Sequence, residues 1–108
     1  MKILKFRNHL ALKILSGEKT VTWRLFDDKD LRVGDKLVFQ NWNTGENFAE
    51  TEIVEVREKK LGKLTDADFE RHEKFESEED MYQHYREYYG EAVNGDTVVK
   101  IVSFKLLK

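Results

Sequence analysis

Apolar residues in this chain recur mostly at every second position, and only short runs break into helical spacing. Strand side chains alternate between faces, whereas helical ones return to a face every three or four residues, so this patterning predicts a sheet with few helices. Residues 2–6 alternate, with Ile3 on one face and Leu4 and Phe6 on the other. Asn8 can cap a helix in which Leu10 pairs with Ile14 and Ala11 with Leu15, and Gly17 suits its left-handed stop. Residues 19–25 carry Thr20, Val21, Thr22 and Trp23, all good strand formers. After a polar connection and a turn at Gly34, residues 36–42 place Leu37 and Phe39 on one face. Asn43-Thr44-Gly45-Glu46 is a turn, and residues 48–59 read as the returning strand. In it Ile53 lies on one face and Val54 and Val56 on the other.

Two helical signals follow. Thr65 with Asp68 forms a capping-box-like start to a short helix that carries Phe69 and ends near Glu73-Lys74-Phe75. Ser77 with Asp80 opens another, in which Met81, Tyr82, Tyr85, Tyr88 and Tyr89 recur at three- and four-residue spacing before Gly90. Residues 96–107 alternate again, with Val98, Lys100, Val102 and Phe104 opposite Val99, Ile101 and Ser103. The order is β-α-β-β-β-α-α-β. An α+β fold, with a mixed or mostly antiparallel sheet curled into a small barrel, fits it best. A flat open sheet is the alternative.

The length of 108 residues corresponds to one domain, 1–108, that buries roughly 60–70% of its unfolded surface. With 40% hydrophobic residues the chain can build a core, so its 37% charged residues do not signal disorder. The absence of cysteine excludes disulfides, thiol catalysis and thiolate metal sites. No apolar run approaches the roughly 20 residues of a membrane span, and the start lacks a signal-peptide core. A soluble, cytoplasmic, monomeric protein is expected. Charge is unevenly placed: residues 64–92 hold ten acidic and three basic side chains, and the remainder holds 16 basic against 11 acidic. A basic binding face opposite an acidic helical segment would follow, with solvated surface as the plain explanation.

The polar residues most concentrated for chemistry are Lys19, Thr20, Thr22 and Arg24, where a helix hands over to a strand. Thr22 and Arg24 share a strand face. Lys19 joins them only if it still belongs to the turn after Gly17; otherwise the group is an exposed edge with routine cations. His9, His72 and His84 lack metal-ligand spacing, so no metal is expected. Glu70 and Glu73 fall on one helix face, which more commonly faces solvent. The tyrosines after Ser77 could stack on bases, but their period favours core packing, as packing also accounts for Trp23 and Trp42. Phosphate-loop, nucleophile-elbow and dinucleotide fingerprints are absent.

The run Gly17-Glu18-Lys19-Thr20-Val21-Thr22-Trp23-Arg24 resembles the G-x-K-T-x-T-x-R signature of the ASCH domain family, which has a PUA-like β-barrel related to RNA-binding modules. Leu31-Arg32-Val33-Gly34-Asp35 resembles the family's hydrophobic-x-x-G-D element. A strand with Ile53 and Val56, a helical insert near Glu73 and a closing Ile101-Val102-Ser103-Phe104 strand follow in the family's order. The resemblance implies a pocket at the barrel mouth lined by the first motif and the insert. It implies an RNA- or nucleotide-binding module in which Lys19, Thr20, Thr22, Arg24 and Trp42 engage RNA or a nucleotide, without a cofactor.

Some small bacterial members are amidohydrolases that remove the acyl group from N4-acetylcytidine with a lysine, a threonine and a glutamate. By motif these fall on Lys19, Thr22 and Glu73, the last requiring a one-residue shift that otherwise puts His72 in its place. Thr22 would attack the amide carbonyl, but an alcohol needs a base at neutral pH. Lys19 serves as that base only if burial lowers its pKa from about 10.4 by roughly 3 units. Glu73 would shuttle a proton or position the ring, although a carboxylate beside Lys19 would hold it charged. Arg24 suits a phosphate or carbonyl oxygen. A third possibility is a protein-interaction domain using the acidic 64–92 segment.

Overall fold

The computed structural model describes residues 2–26, 29–69 and 75–107. Strand β1 (Lys2–Phe6) buries Leu4 and Phe6 and leaves Ile3 on the outside, as its alternation predicts. Helix α1 (Asn8–Ser16) buries Ala11 and Ile14, while Leu12 and Leu15 are exposed. The expected Ala11–Leu15 pair is therefore not one face: the buried stripe runs through Leu10, Ala11 and Ile14. Arg7, not Asn8, is the cap position, and the Asn8 side chain instead accepts a bond from Asn41 Nδ2 at 2.9 Å.

Strand β2 (Val21–Leu25) starts two residues later than its propensities suggest. Strands β3 (Lys36–Asn41) and β4 (Asn47–Lys60) form the hairpin, and β5 (Val98–Leu106) closes the chain of elements. Helix α2 (Glu78–Tyr89) begins after Ser77, whose hydroxyl accepts the Asp80 N–H at 3.1 Å. The strands join in the order β1-β3-β4-β5-β2, parallel between β1 and β3 and antiparallel elsewhere. The sheet curls so that its two edges approach: Arg24 of β2 reaches the Lys5 carbonyl at 3.3 Å and lies 4.9 Å from the Phe6 ring centroid.

Two cores result, one on each side of the sheet. Leu4, Phe6, Leu31, Leu37, Phe39, Ile53, Val102 and Phe104 close over Ile14 of α1. Trp23, Leu25, Leu61, Val93, Val99 and Ile101 pack against Met81 and Tyr85 of α2. The expected face for Val56 is corrected by a bulge. The β4–β5 register slips between Ile53 and Glu55, so Ile53 and Val56 both meet the first core and Val54 is exposed. One extra residue reverses the parity of everything after it.

The helix expected after Thr65 is a 3-10 turn (Asp66–Phe69) in its described part, and the remainder of that expectation lies outside the described residues. Asp68 is the reason. Its buried carboxylate accepts the Thr65 N–H (2.8 Å), a local pairing that competes with helical ones, and also Lys59 Nζ (2.8 Å) and Arg57 Nη1 (3.0 Å) from β4. Burial alone would push this carboxyl up, but the Lys59, Thr65 and Arg57 donors outweigh it and hold its pKa at about 2.

Candidate functional site

The geometric demand on Lys19 is met by the way α1 ends. Gly17 takes a left-handed φ of 87° and its N–H returns to the Ile14 carbonyl at 3.2 Å. The Lys19 N–H then bonds the Lys13 carbonyl at 3.1 Å, so Lys19 belongs to the turn and precedes β2. Its side chain folds inward and is only 3% exposed, with Nζ donating to the Val21 carbonyl at 2.7 Å. Thr20 fixes the entry to β2 differently, its carbonyl accepting the Phe104 N–H at 3.0 Å.

From there the strand period places Thr22 and Arg24 on the face that looks into the space between β2, β1 and α2. Thr22 is 4% exposed. That space is a cavity of about 450 Å³. Lys19, Thr22, Arg24 and Trp42 all line it; Thr20 does not. Glu73 and its alternative His72 lie outside the described residues.

Several lining residues were not picked out from the sequence. The β1–α1 junction supplies Lys5, Phe6, Arg7 and Leu10. Lys5 and Arg7 flank a buried phenylalanine, a signal present in the sequence but meaningless until β1 lies beside the pocket. Helix α2 supplies His84 and Glu87, and with them Tyr85, Tyr88 and Tyr89 of the run already weighed as base-stacking candidates, as a wall. His84 and Tyr88 meet edge to face at 4.9 Å, and Tyr85 stacks on Trp23 at 6.3 Å, so the tyrosine run is both core and pocket. Among the described residues no group of three or more His, Asp or Glu side chains is placed to hold a metal ion.

The walls are thus mostly aromatic, the floor holds a buried amine and a hydroxyl, and the mouth carries cations. Such a site can stack a flat ring, donate to its polar edge and attract an anion.

A five-stranded mixed sheet curled between two helices is the α+β fold of the solved ASCH domains. The chain is similar to the ASCH domain from Lactobacillus crispatus JV V101, with a TM-score of 0.73 and 18% identity over 97% of this chain and 79% of that one. It is similar also to protein EF3133 from Enterococcus faecalis V583, with a TM-score of 0.78 and 17% identity over 93% of this chain and 71% of that one. A third neighbour, PF0455 from Pyrococcus furiosus, has a TM-score of 0.69 and 19% identity over 99% of this chain and 97% of that one. At these identities the likeness is one of fold. No family model and no curated protein sequence matches the chain.

Proposed function

We propose that the cavity between β1, β2 and α2 binds a nucleobase-bearing ligand. The observation that carries this reading is the lining itself: Lys19 and Thr22, both nearly buried, form a polar floor beneath aromatic walls. A volume of about 450 Å³ falls within the roughly 300–1,000 Å³ of small-molecule pockets. A base would slide against the α2 tyrosines and Trp42 and present its polar edge to Lys19, Thr22 and Arg24. The resemblance of residues 17–24 to the ASCH signature implies the same kind of ligand. The test is a titration of the four nucleosides, N4-acetylcytidine and short RNA at low salt, followed by tryptophan fluorescence, because Trp23 and Trp42 both line the cavity. Absence of binding by every one of these would sink the proposal.

A second reading, hydrolysis of an N4-acylated cytidine, draws on the same floor. Lys19 and Thr22, both buried, line one cavity and so supply an amine and an alcohol to the same space. In that reaction the Thr22 hydroxyl loses its proton to a base and attacks the amide carbon. The C–N bond breaks, the cytosine amine leaves with a proton, and water then cleaves the Thr22 ester to release a carboxylate. Lys19, which lines the same cavity, is the base this reading requires. If wild-type protein and a Thr22→Ala variant release cytidine from N4-acetylcytidine equally slowly, this reading is wrong and binding alone remains.

A further inference from the structure

The floor of the cavity answers to a base, yet two cations at the mouth have no part in that. Lys5 Nζ lies 5.4 Å and the Arg7 guanidinium 5.8 Å from the centroid of the same Trp42 ring. Arg7 is also 5.4 Å from the Tyr88 ring centroid, so it stands between two exposed aromatics. Neither Lys5 nor Arg7 pairs with a carboxylate among the described residues, whereas the other ion pairs use Lys2, Arg32, Arg57, Lys59, Lys60 and Arg86. Seated on ring faces, both keep an unneutralised charge at the entrance. Glu87 is the single carboxylate among the described lining residues, against Lys5, Arg7, Lys19 and Arg24.

This mouth is also held in shape. The Trp42 N–H donates to the Phe6 carbonyl at 2.7 Å, which ties the ring's backbone to the strand end carrying both cations. Asn41, buried beneath, bonds Asn8 through its Nδ2 and accepts the Asn43 and Thr44 N–H groups at 2.8 and 3.2 Å. Asn43 in turn accepts the Asn8 N–H at 2.9 Å. The two chain segments that form the entrance are thereby locked together. Fixed cations lose less freedom on contacting an anion, and arginine's planar fork matches phosphate oxygens.

We propose that the ligand carries a phosphate on its sugar, and that Lys5 and Arg7 hold this phosphate at the mouth while the base occupies the cavity. The proposal rests on the cavity being the base site. The shared chemistry is a phosphoryl group adjoining a nucleoside, supplied either by a free 5′-nucleotide or by a phosphodiester in RNA.

The test compares each nucleoside with its 5′-monophosphate and its dinucleoside monophosphate, titrated against the intact protein and against a Lys5→Gln/Arg7→Gln variant. Both substituted side chains are exposed, so the variant's melting curve should overlay the wild type. At low salt the phosphate-bearing forms are expected to bind at least about tenfold tighter than the nucleoside, as contacts to charged groups allow. That ratio should fall toward one in the variant, and should narrow in the wild type as sodium chloride is added. A larger gain for the monophosphate points to free nucleotides, and a larger gain for the dinucleoside to RNA. Equal affinity for nucleoside and nucleotide overturns the phosphate site and leaves the base site standing. A ratio unchanged in the variant overturns the assignment to Lys5 and Arg7. No binding by any form overturns the base site and the phosphate site with it.

Discussion

A lysine as buried as Lys19 has exchanged water for protein, and it needs polar partners such as the Val21 carbonyl to be tolerated. Its stem packs while its amine faces the cavity floor, so the two contributions can be separated. Lys19→Met keeps the stem and removes the amine. Ligand affinity should fall at least about tenfold, while the melting temperature moves by only a few degrees, roughly what 1 kcal/mol does in a domain this size. A loss of folding comparable to the loss of binding would assign Lys19 a structural role instead. Thr51 offers the opposite case. It is fully buried on β4, and its hydroxyl has no hydrogen-bond partner among the described residues. Thr51→Val removes an unmet polar atom at nearly constant shape, and should leave stability unchanged or raise it by about 1 kcal/mol in denaturant melts. The Lys19–Arg24 group was legible in the sequence because strand parity and the glycine stop fix its geometry locally. Lys5 and Arg7 were not, since their place depends on β1 pairing in parallel with β3, a contact that no local pattern encodes.

Among elements, the 3-10 turn after Thr65 is tied to β4 through Asp68. Asp68 has a carboxyl pKa of about 2, below its ordinary 3.8, because the donors of Lys59, Thr65 and Arg57 overcome the opposing effect of burial. A depressed carboxylate stabilises the fold above its unfolded pKa, and that contribution is lost as pH falls through the folded value. Stability should therefore decline between about pH 4 and pH 2 by on the order of 2 kcal/mol from this group. Asp68→Asn should flatten that part of the acid-unfolding curve, and an unaltered curve would remove Asp68 as its source. The neighbouring 3-10 turn (Leu61–Lys63) depends on Gly62 for a different reason. A Cβ added there would lie 3.1 Å from the Gly95 carbonyl oxygen and 3.3 Å from the Gly95 Cα. Backbone cannot step aside as a side-chain tip can, so Gly62→Ala should cost about 1–3 kcal/mol by thermal denaturation. Element types were readable from period and caps. The bulge at Val54 and the ion-paired Asp68 were not, because both are settled by partners on other strands.

At the scale of the molecule, no described helix is long and apolar enough to cross a membrane. The curl of the sheet was anticipated from the order of elements, β-α-β-β-β-α-α-β. The strand order was not, since alternation says which face a residue takes but not which strand lies beside it. That order has a kinetic consequence. β2 holds Thr22 and Arg24, yet its backbone ladder is made entirely with β5, from Val21 against Ser103 to Leu25 against Val99. A strand near the beginning of the chain thus waits for one near its end. Closing so long a loop is slow, and the entropy is lost before any contact compensates it. During refolding, pulse-labelled amides of β2 should gain protection together with β5 and never before it, whereas the β3–β4 hairpin can form on its own schedule. As the chain leaves the ribosome, the wall that carries the threonine and the arginine then waits for β5 to emerge, and every intermediate before that lacks a pocket.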